Sequence, residues 1–457
     1  MLKKLFQTVD MTTGEPWQKI LIFTLPMLLG NIAQQLYNTV DSIVVGRYVG
    51  DNALAAVGSA GPIINLLLVL FIGVSMGASI MCAQFFGARD REGLSYAVGN
   101  CILLIFLASV LMTVSGLLLS RPLLEVLGTP DEIIDWCESY LRIMFLGSIG
   151  MGFYNILSGV LRGIGDAVPA LVYLLVSTVL NIFLDILFVT QFHMGVDGVA
   201  WATIIAQGIS ALLCLNRLRQ MSDLFDFGLR FLKWQKRYAN RILLLGLPSG
   251  VTQGIISMSM ILVQSLTNTF GPTLIAANVI VQRVDGFAML PNFSFGTAMT
   301  TYAGQNVGAG KMDRVQKGAK QGTLLAAGIT TFLTALILIF GKQLMGIFTE
   351  TEDLVALAMR MMRILAAGYI VMAVLQSLSG IMRGAGDTTT PMWISIIQTF
   401  FLRVPLAYLM VNMTKSPEYP QGRPEMLFAS MLIAWTIGTL ITIFFYRKGN
   451  WKKKALV

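Results

Sequence analysis

The chain has 457 residues, of which 55% are hydrophobic and 12% charged, against about 25% charged in a soluble domain. That balance excludes a water-soluble globular protein. Apolar stretches of ~20 residues recur along the whole length, each long enough to cross a ~30 Å hydrocarbon core as a helix and too evenly apolar for the alternating strands of a membrane barrel.

The first predicted span, 17–46, follows a polar, partly basic start with no small-residue cleavage site and is kept as a mature spanning helix. It contains Pro26 and Asp41. Spans at 53–85, 95–119, 131–158, 167–190 and 196–216 complete a first set of six. A polar break at 217–241 carries Arg217, Arg219, Arg230, Lys233, Lys236, Arg237 and Arg241. It reads as a basic cytoplasmic linker between an N-terminal lobe, 1–216, and a C-terminal lobe, 242–457. The second set follows at 242–270, 274–304, 316–341, 353–380, 388–412 and 426–446. Twelve transmembrane helices in two pseudo-symmetric six-helix bundles, all-α, are therefore expected.

Lysines and arginines gather at both termini, in the linker and in alternate connections, while the opposite connections hold Arg47, Arg121, Lys342, Lys415 and Arg423. That asymmetry predicts both termini in the cytoplasm. It also accounts for the formal charge of +9 without nucleic acid, because no basic strip interleaved with aromatics lies outside the loops. Arg142, Arg283, Arg360, Arg363 and Arg403 fall inside spans and need separate explanation.

The two halves repeat at an offset of 221 or 222 residues. Ser158-Gly159-Val160-Leu161-Arg162-Gly163-Ile164-Gly165-Asp166 matches Ser379-Gly380-Ile381-Met382-Arg383-Gly384-Ala385-Gly386-Asp387, Leu25-Pro26 matches Leu247-Pro248, and Arg142 matches Arg363. Six helices preserve orientation, so the repeat is parallel, with its axis along the membrane normal. Pro26 and Pro248 sit at equivalent places in the first helix of each half, where a kink can act as a hinge.

Several chemistries are excluded. Cys82, Cys101, Cys137 and Cys214 lie in apolar segments without CxxC spacing, and His193 is the only histidine, so neither a disulfide framework, a zinc site nor a Ser-His-Asp triad is expected. Val307-Gly308-Ala309-Gly310-Lys311 lacks the phosphate-loop spacing and a preceding strand. The chain is read as no enzyme, with no cofactor.

Carboxylates inside hydrocarbon cost at least ~2.5 kcal/mol each and call for a role. Asp41 lies six residues before Arg47, ~9 Å from the outer end of its helix, and Asp185 five residues before the end of the fifth span, ~8 Å deep. Asn181 precedes Asp185 by one helical turn, and Thr203 and Tyr140 fall at ~10 and ~14 Å from the same side. Four helices of one half thus offer oxygen groups at one level, the requirement for binding a proton or a sodium ion. Were sodium the ion, Asp41, Asn181, Asp185 and Thr203 would be its ligands. The second half carries Val263, Arg403 and Ala407 at the positions of Asp41, Asn181 and Asp185. It has its own acid, Asp285, with Arg283, Arg360, Arg363 and Arg403 at comparable levels, read as a neutralising ion-pair network or a second polar cavity wall. Methionines such as Met258, Met260, Met289, Met299, Met361, Met362 and Met372 suit either core packing or a promiscuous apolar lining.

Taken together, Pro26, Asp41, Asn181, Asp185 and the paired R-G-x-G-D turns at Arg162 and Arg383 make the chain resemble the multidrug and toxic compound extrusion (MATE) family over all twelve spans, closest to its DinF-like branch. The resemblance implies an inner-membrane antiporter of a bacterial or archaeal cell, a monomer that expels small amphipathic or cationic compounds as H+ or Na+ enters. It implies Asp41, Asn181, Asp185, Thr203 and Tyr140 as the cation-coupling set. The NorM-like branch has an acid in the seventh helix, where this chain has Gln253, Ser257 and Gln264. Two other readings are a flippase for a lipid-linked saccharide, which would need the second-half arginines in a cavity, and an intramembrane enzyme built on Asp41 and Asp185.

Overall fold

The computed structural model describes residues 8–228 and 230–455, with the side chains of Asn38, Asp41, Ser42, Asp51, Leu66 and Leu67 outside the described set. The helices are α1 (Pro16–Val44), α2 (Asp51–Gly87), α3 (Arg91–Val126), α4 (Asp131–Leu146), α5 (Ser148–Gly163), α6 (Ala167–Thr190), α7 (Gly195–Arg219) and α8 (Lys236–Asn268). They continue as α9 (Pro272–Gly308), α10 (Met312–Gly346), α11 (Glu352–Gly384), α12 (Thr389–Ile396), α13 (Arg403–Met413) and α14 (Glu425–Lys448). No strand occurs among the described residues.

Among the described residues eleven spans are long and apolar enough to cross a membrane, and the bent pair α4 and α5 makes a twelfth. This is the multi-pass, all-helical architecture expected. The fourth span differs from the continuous helix expected, bending by 51° between Leu146 and Ser148. Its cause lies in glycine packing against α7. A side chain on Gly147 would collide with Ile204, and Gly150 rests on the backbone of Gly208, so the chain turns where α7 packs against it. The eleventh span is likewise interrupted, by a π-helical turn at Ile397–Leu402 between α12 and α13, and another π turn, Val45–Val49, follows α1.

The chain forms two compact units. Of the described residues, one unit comprises those up to Asp10 and those from Leu25 to Gly250; the other comprises Met11–Thr24 and those from Val251 on. Both changes of unit fall inside helices, beside Pro26 in α1 and Pro248 in α8. The 217–241 stretch is ordered within the first unit. Arg91 donates to the Ser222 carbonyl and to Asp226, both at 2.6 Å, which holds the Asp226 carboxyl below the usual carboxylate range. Ser95 Oγ accepts from Asp226 N–H at 2.8 Å, Asn100 Oδ1 accepts from Gln235 N–H at 2.9 Å, and Phe231 meets Tyr96 edge-on.

The repeated S-G-x-x-R-G-x-G-D segment is a helix crossing followed by a turn. In the first unit Gly159 and Gly163 of α5 lie against the backbone of Ser75 and Ser79 in α2, and a Cβ on Gly163 would strike the Ser79 carbonyl oxygen. In the second, Gly380 and Gly384 of α11 meet Gly296 and Thr300 of α9 in the same way. Small residues four apart let two helical backbones touch, the packing mode available where lipid supplies no hydrophobic drive between helices. The following Gly165 (φ 90°) and Gly386 (φ 96°) are left-handed, and the Asp166 and Asp387 N–H groups donate back to the Leu161 and Met382 carbonyls, closing each helix with a Schellman turn. Both aspartates are capped by cations, Asp166 by Arg217 at 2.7 Å and Asp387 by Lys454 at 2.8 Å. Burial pushes the Asp166 carboxyl up despite the pull of Arg217.

Replacing Gly384 with Val drives a side chain into the α9 backbone and lowers stability by about 1–3 kcal/mol. Gly328→Ala in α10, where nothing lies within 4 Å, raises it by about 0.5–1 kcal/mol through helix propensity. Thermal unfolding in detergent, with both variants beside the parent, measures the contrast.

Candidate functional site

Within the first unit, α1, α6 and α7 bring one set of polar side chains into hydrogen-bond contact. Asn181 and Asp185 lie one turn apart on α6 and are fully buried, with Thr203 of α7 nearly so. With the Asn181 amide nitrogen turned toward the carboxylate, it donates to Asp185 Oδ2 at 3.0 Å while its oxygen accepts from Thr203 N–H at 3.3 Å. The opposite orientation leaves the nitrogen with two longer contacts, 3.5 Å to Asp185 Oδ1 and 3.4 Å to Thr203 Oγ1. Only the first satisfies both amide atoms. Tyr37 of α1 donates to Thr203 Oγ1 at 3.4 Å. Tyr140 of α4 is buried in the same unit.

Asp41 follows Tyr37 by four residues in α1; its side chain lies outside the described residues. Pro26 lies in a helix that continues through it, with the carbonyl four residues back deprived of its N–H partner. Among the described residues no group of three or more His, Cys, Asp or Glu could hold a metal, so a bound sodium ion would draw on amide, hydroxyl and carbonyl oxygens beside any carboxylate, the mixed donor set hard cations accept.

Tyr37 and Gln207 were missed by the sequence reading. Gln207 is buried one turn beyond Thr203 on α7, with an Oε1 that has no partner. A signal existed for both: each is four residues from a residue already singled out, hence on the same helical face.

The second unit departs from the ion-pair network expected around Asp285. Among the described residues no ion pair joins Asp285 to an arginine. Arg360 instead pairs with Glu425 at 3.5 Å, and Arg283 and Arg363 are exposed. Arg403 lies near Asp285 without bonding it, and its Nε is buried with no acceptor. In the first unit Arg142 pairs with Glu138 at 2.8 Å, and Glu138 is shared with Arg121 at 2.9 Å. The reason is geometric. Equal depth along different helices places residues at a level, whereas ion pairing also needs facing sides, and Arg360 faces Glu425 at the start of α14 instead. Of the methionines, Met258 and Met260 are more than half exposed, while Met289, Met299, Met361, Met362 and Met372 are buried.

The internal repeat also appears in comparison with known proteins. The MatE family profile matches residues 26–187 and again 248–409. The chain belongs to the MatE family. It is 31% identical to "Probable multidrug resistance protein YoeA" of Bacillus subtilis, covering 96% of this chain and 95% of that one. It is 30% identical to "Probable multidrug resistance protein YpnP" of the same organism, covering 98% of each. A solved structure described as the outward-facing conformation of a multidrug resistance MATE family transporter of the MOP superfamily superposes with a TM-score of 0.89 at 26% identity, over 97% of both chains. This MatE protein is thus a multi-pass membrane protein of a transporter family with bacterial relatives.

Asn181→Leu removes the donor that faces Asp185 and costs about 1–3 kcal/mol, whereas Tyr37→Phe removes a longer bond and costs about 0.5–1.5 kcal/mol. Denaturant unfolding in micelles ranks the two.

Proposed function

We propose that this MatE protein is a secondary active multidrug exporter, expelling small amphipathic or cationic compounds in exchange for H+ or Na+ by alternating access. The observation that carries the reading is the buried Asn181–Asp185–Thr203–Tyr37 cluster in a chain whose relatives are named for multidrug resistance. A carboxylate buried at the side of an amide donor is poised to take a cation, because protonation or ion binding removes the charge that burial penalises. Asp185, joined by Asp41, is assigned the coupling role, with Asn181, Thr203 and Tyr140 positioning or ligating. If sodium is the ion, Asp41, Asn181, Asp185 and Thr203 hold it.

The moving bodies are the two six-span lobes, joined through the 217–241 linker, with both termini cytoplasmic in a cell's inner membrane. Pro26 is the hinge. The change of unit inside α1 falls beside it, and a missing helical hydrogen bond lets α1 bend there. Linkage requires only that drug and cation prefer opposite states. The relatives' names point toward drugs rather than lipid-linked saccharides.

Purified protein in proteoliposomes, loaded with a fluorescent cationic drug and given separate pH and sodium gradients, tests the reading. Export driven by one or both gradients is expected. Drug movement indifferent to both would overturn it. Asp185→Asn and Asp41→Asn are expected to fold and bind drug yet lose gradient-driven export, and Pro26→Ala to slow it with drug affinity retained.

A further inference from the structure

Asp285 is half-buried in the second unit, with one carboxylate oxygen sealed from solvent and no ion pair among the described residues. It lies ~20 Å along α9 from Pro272, between Val284 and a run that includes Ala288 and Met289, all part of that unit's apolar core. Its Oδ1 is buried and accepts no hydrogen bond. The titratable or charged groups that face it are Tyr369 of α11, whose hydroxyl reaches the carboxyl as a hydrogen-bond donor, and Arg403 of α13. Tyr369 is itself fully buried, with its hydroxyl on the Met362 sulfur at 3.2 Å. The Arg403 Nε is buried and equally without a partner. The π turn Ile397–Leu402 ends immediately before Arg403, and such turns cluster at functional positions.

An ionised carboxylate has about four lone-pair positions to satisfy, and a buried one left unpaired is costly. A protonated carboxyl carries no charge to desolvate and brings a donor of its own. Arg403 lies close enough to temper the charge when the proton leaves and does not form the direct ion pair that would hold the group ionised. A sodium ion suits this place poorly, since it needs several hard oxygens and would face a guanidinium. The first half has Ile63 and Ile64 at the repeat positions of Asp285, so the helical scaffold does not require an acid here.

We infer that Asp285 is a second proton-binding site, distinct from the cluster of the first unit, and that it takes up and releases one proton in each transport cycle. The inference rests on the export reading above for its place in the cycle, and on the side-chain environment alone for the site.

Dicyclohexylcarbodiimide, which attacks protonated carboxyls in apolar surroundings, tests the site without transport. Peptide mass spectrometry of the treated protein is expected to find Asp285 modified at acid pH and spared at alkaline pH. In proteoliposomes, an internal pH dye read against drug flux is expected to count one proton fewer per drug for Asp285→Asn than for the parent. Absence of modification at every pH, modification independent of pH, or an unchanged proton count would each overturn the inference. A purely structural pairing with Arg403 predicts instead that Asp285→Asn loses thermal stability, that adding Arg403→Gln restores it, and that the proton count does not move; that pattern also overturns it. If the parent shows pH-dependent modification but no gradient-driven export, the export reading fails and the site stands.

Discussion

Hydrocarbon solvates neither a peptide group nor a charge, and most of what is distinctive here follows from that constraint. Backbone polar groups are closed within helices, and where helices break, at Gly147 and at the two π turns, the break lies against another helix or beside a polar residue. Association between helices then depends on contact rather than on expulsion of water. Gly159, Gly163, Gly380 and Gly384 supply that contact by bringing α5 onto α2 and α11 onto α9 at matching positions. The same residues lead into the glycine turns that end at Asp166 and Asp387, so one nine-residue segment sets both a crossing and a helix end in each half.

Against this shared scaffold the polar residues diverge. The first unit gathers an amide, a hydroxyl and a carboxylate from α6 and α7, with Tyr37 added from α1. The second places Arg403 at the repeat position of Asn181, moves its acid to α9, and leaves the two facing without a direct bond. Duplicated packing with unlike charges is the pattern expected when geometry is retained for folding and chemistry is free to specialise in each half. The counter-charges on the repeated aspartates diverge too, since Arg217 comes from α7 while Lys454 comes from the tail beyond α14.

Legibility in the sequence varied with the range of the interaction. Spans were readable because apolar length is a local property, and the pairing of Asn181 with Asp185 because four residues is one helical turn. Tyr37 and Gln207 were within reach of the same rule applied once more. The network around Asp285 was not readable. Arg283, Arg360, Arg363 and Arg403 were grouped by depth, and depth leaves rotation about each helix axis undetermined. Rotation about the helix axis decides whether Arg360 meets Asp285 or, as it does, Glu425.

Length, apolar periodicity and the internal repeat by themselves determined a twelve-span helical membrane protein in two related halves, because each depends on residues adjacent in the chain or on comparison of the chain with itself. Only the tertiary structure decided where α1 and α8 change unit, that the 217–241 stretch packs on α3, which acids form ion pairs, and that Asp285 forms none among the described residues. Those outcomes depend on which faces of separate helices meet, and a side chain's partner across a helix interface is set by packing that no single segment encodes.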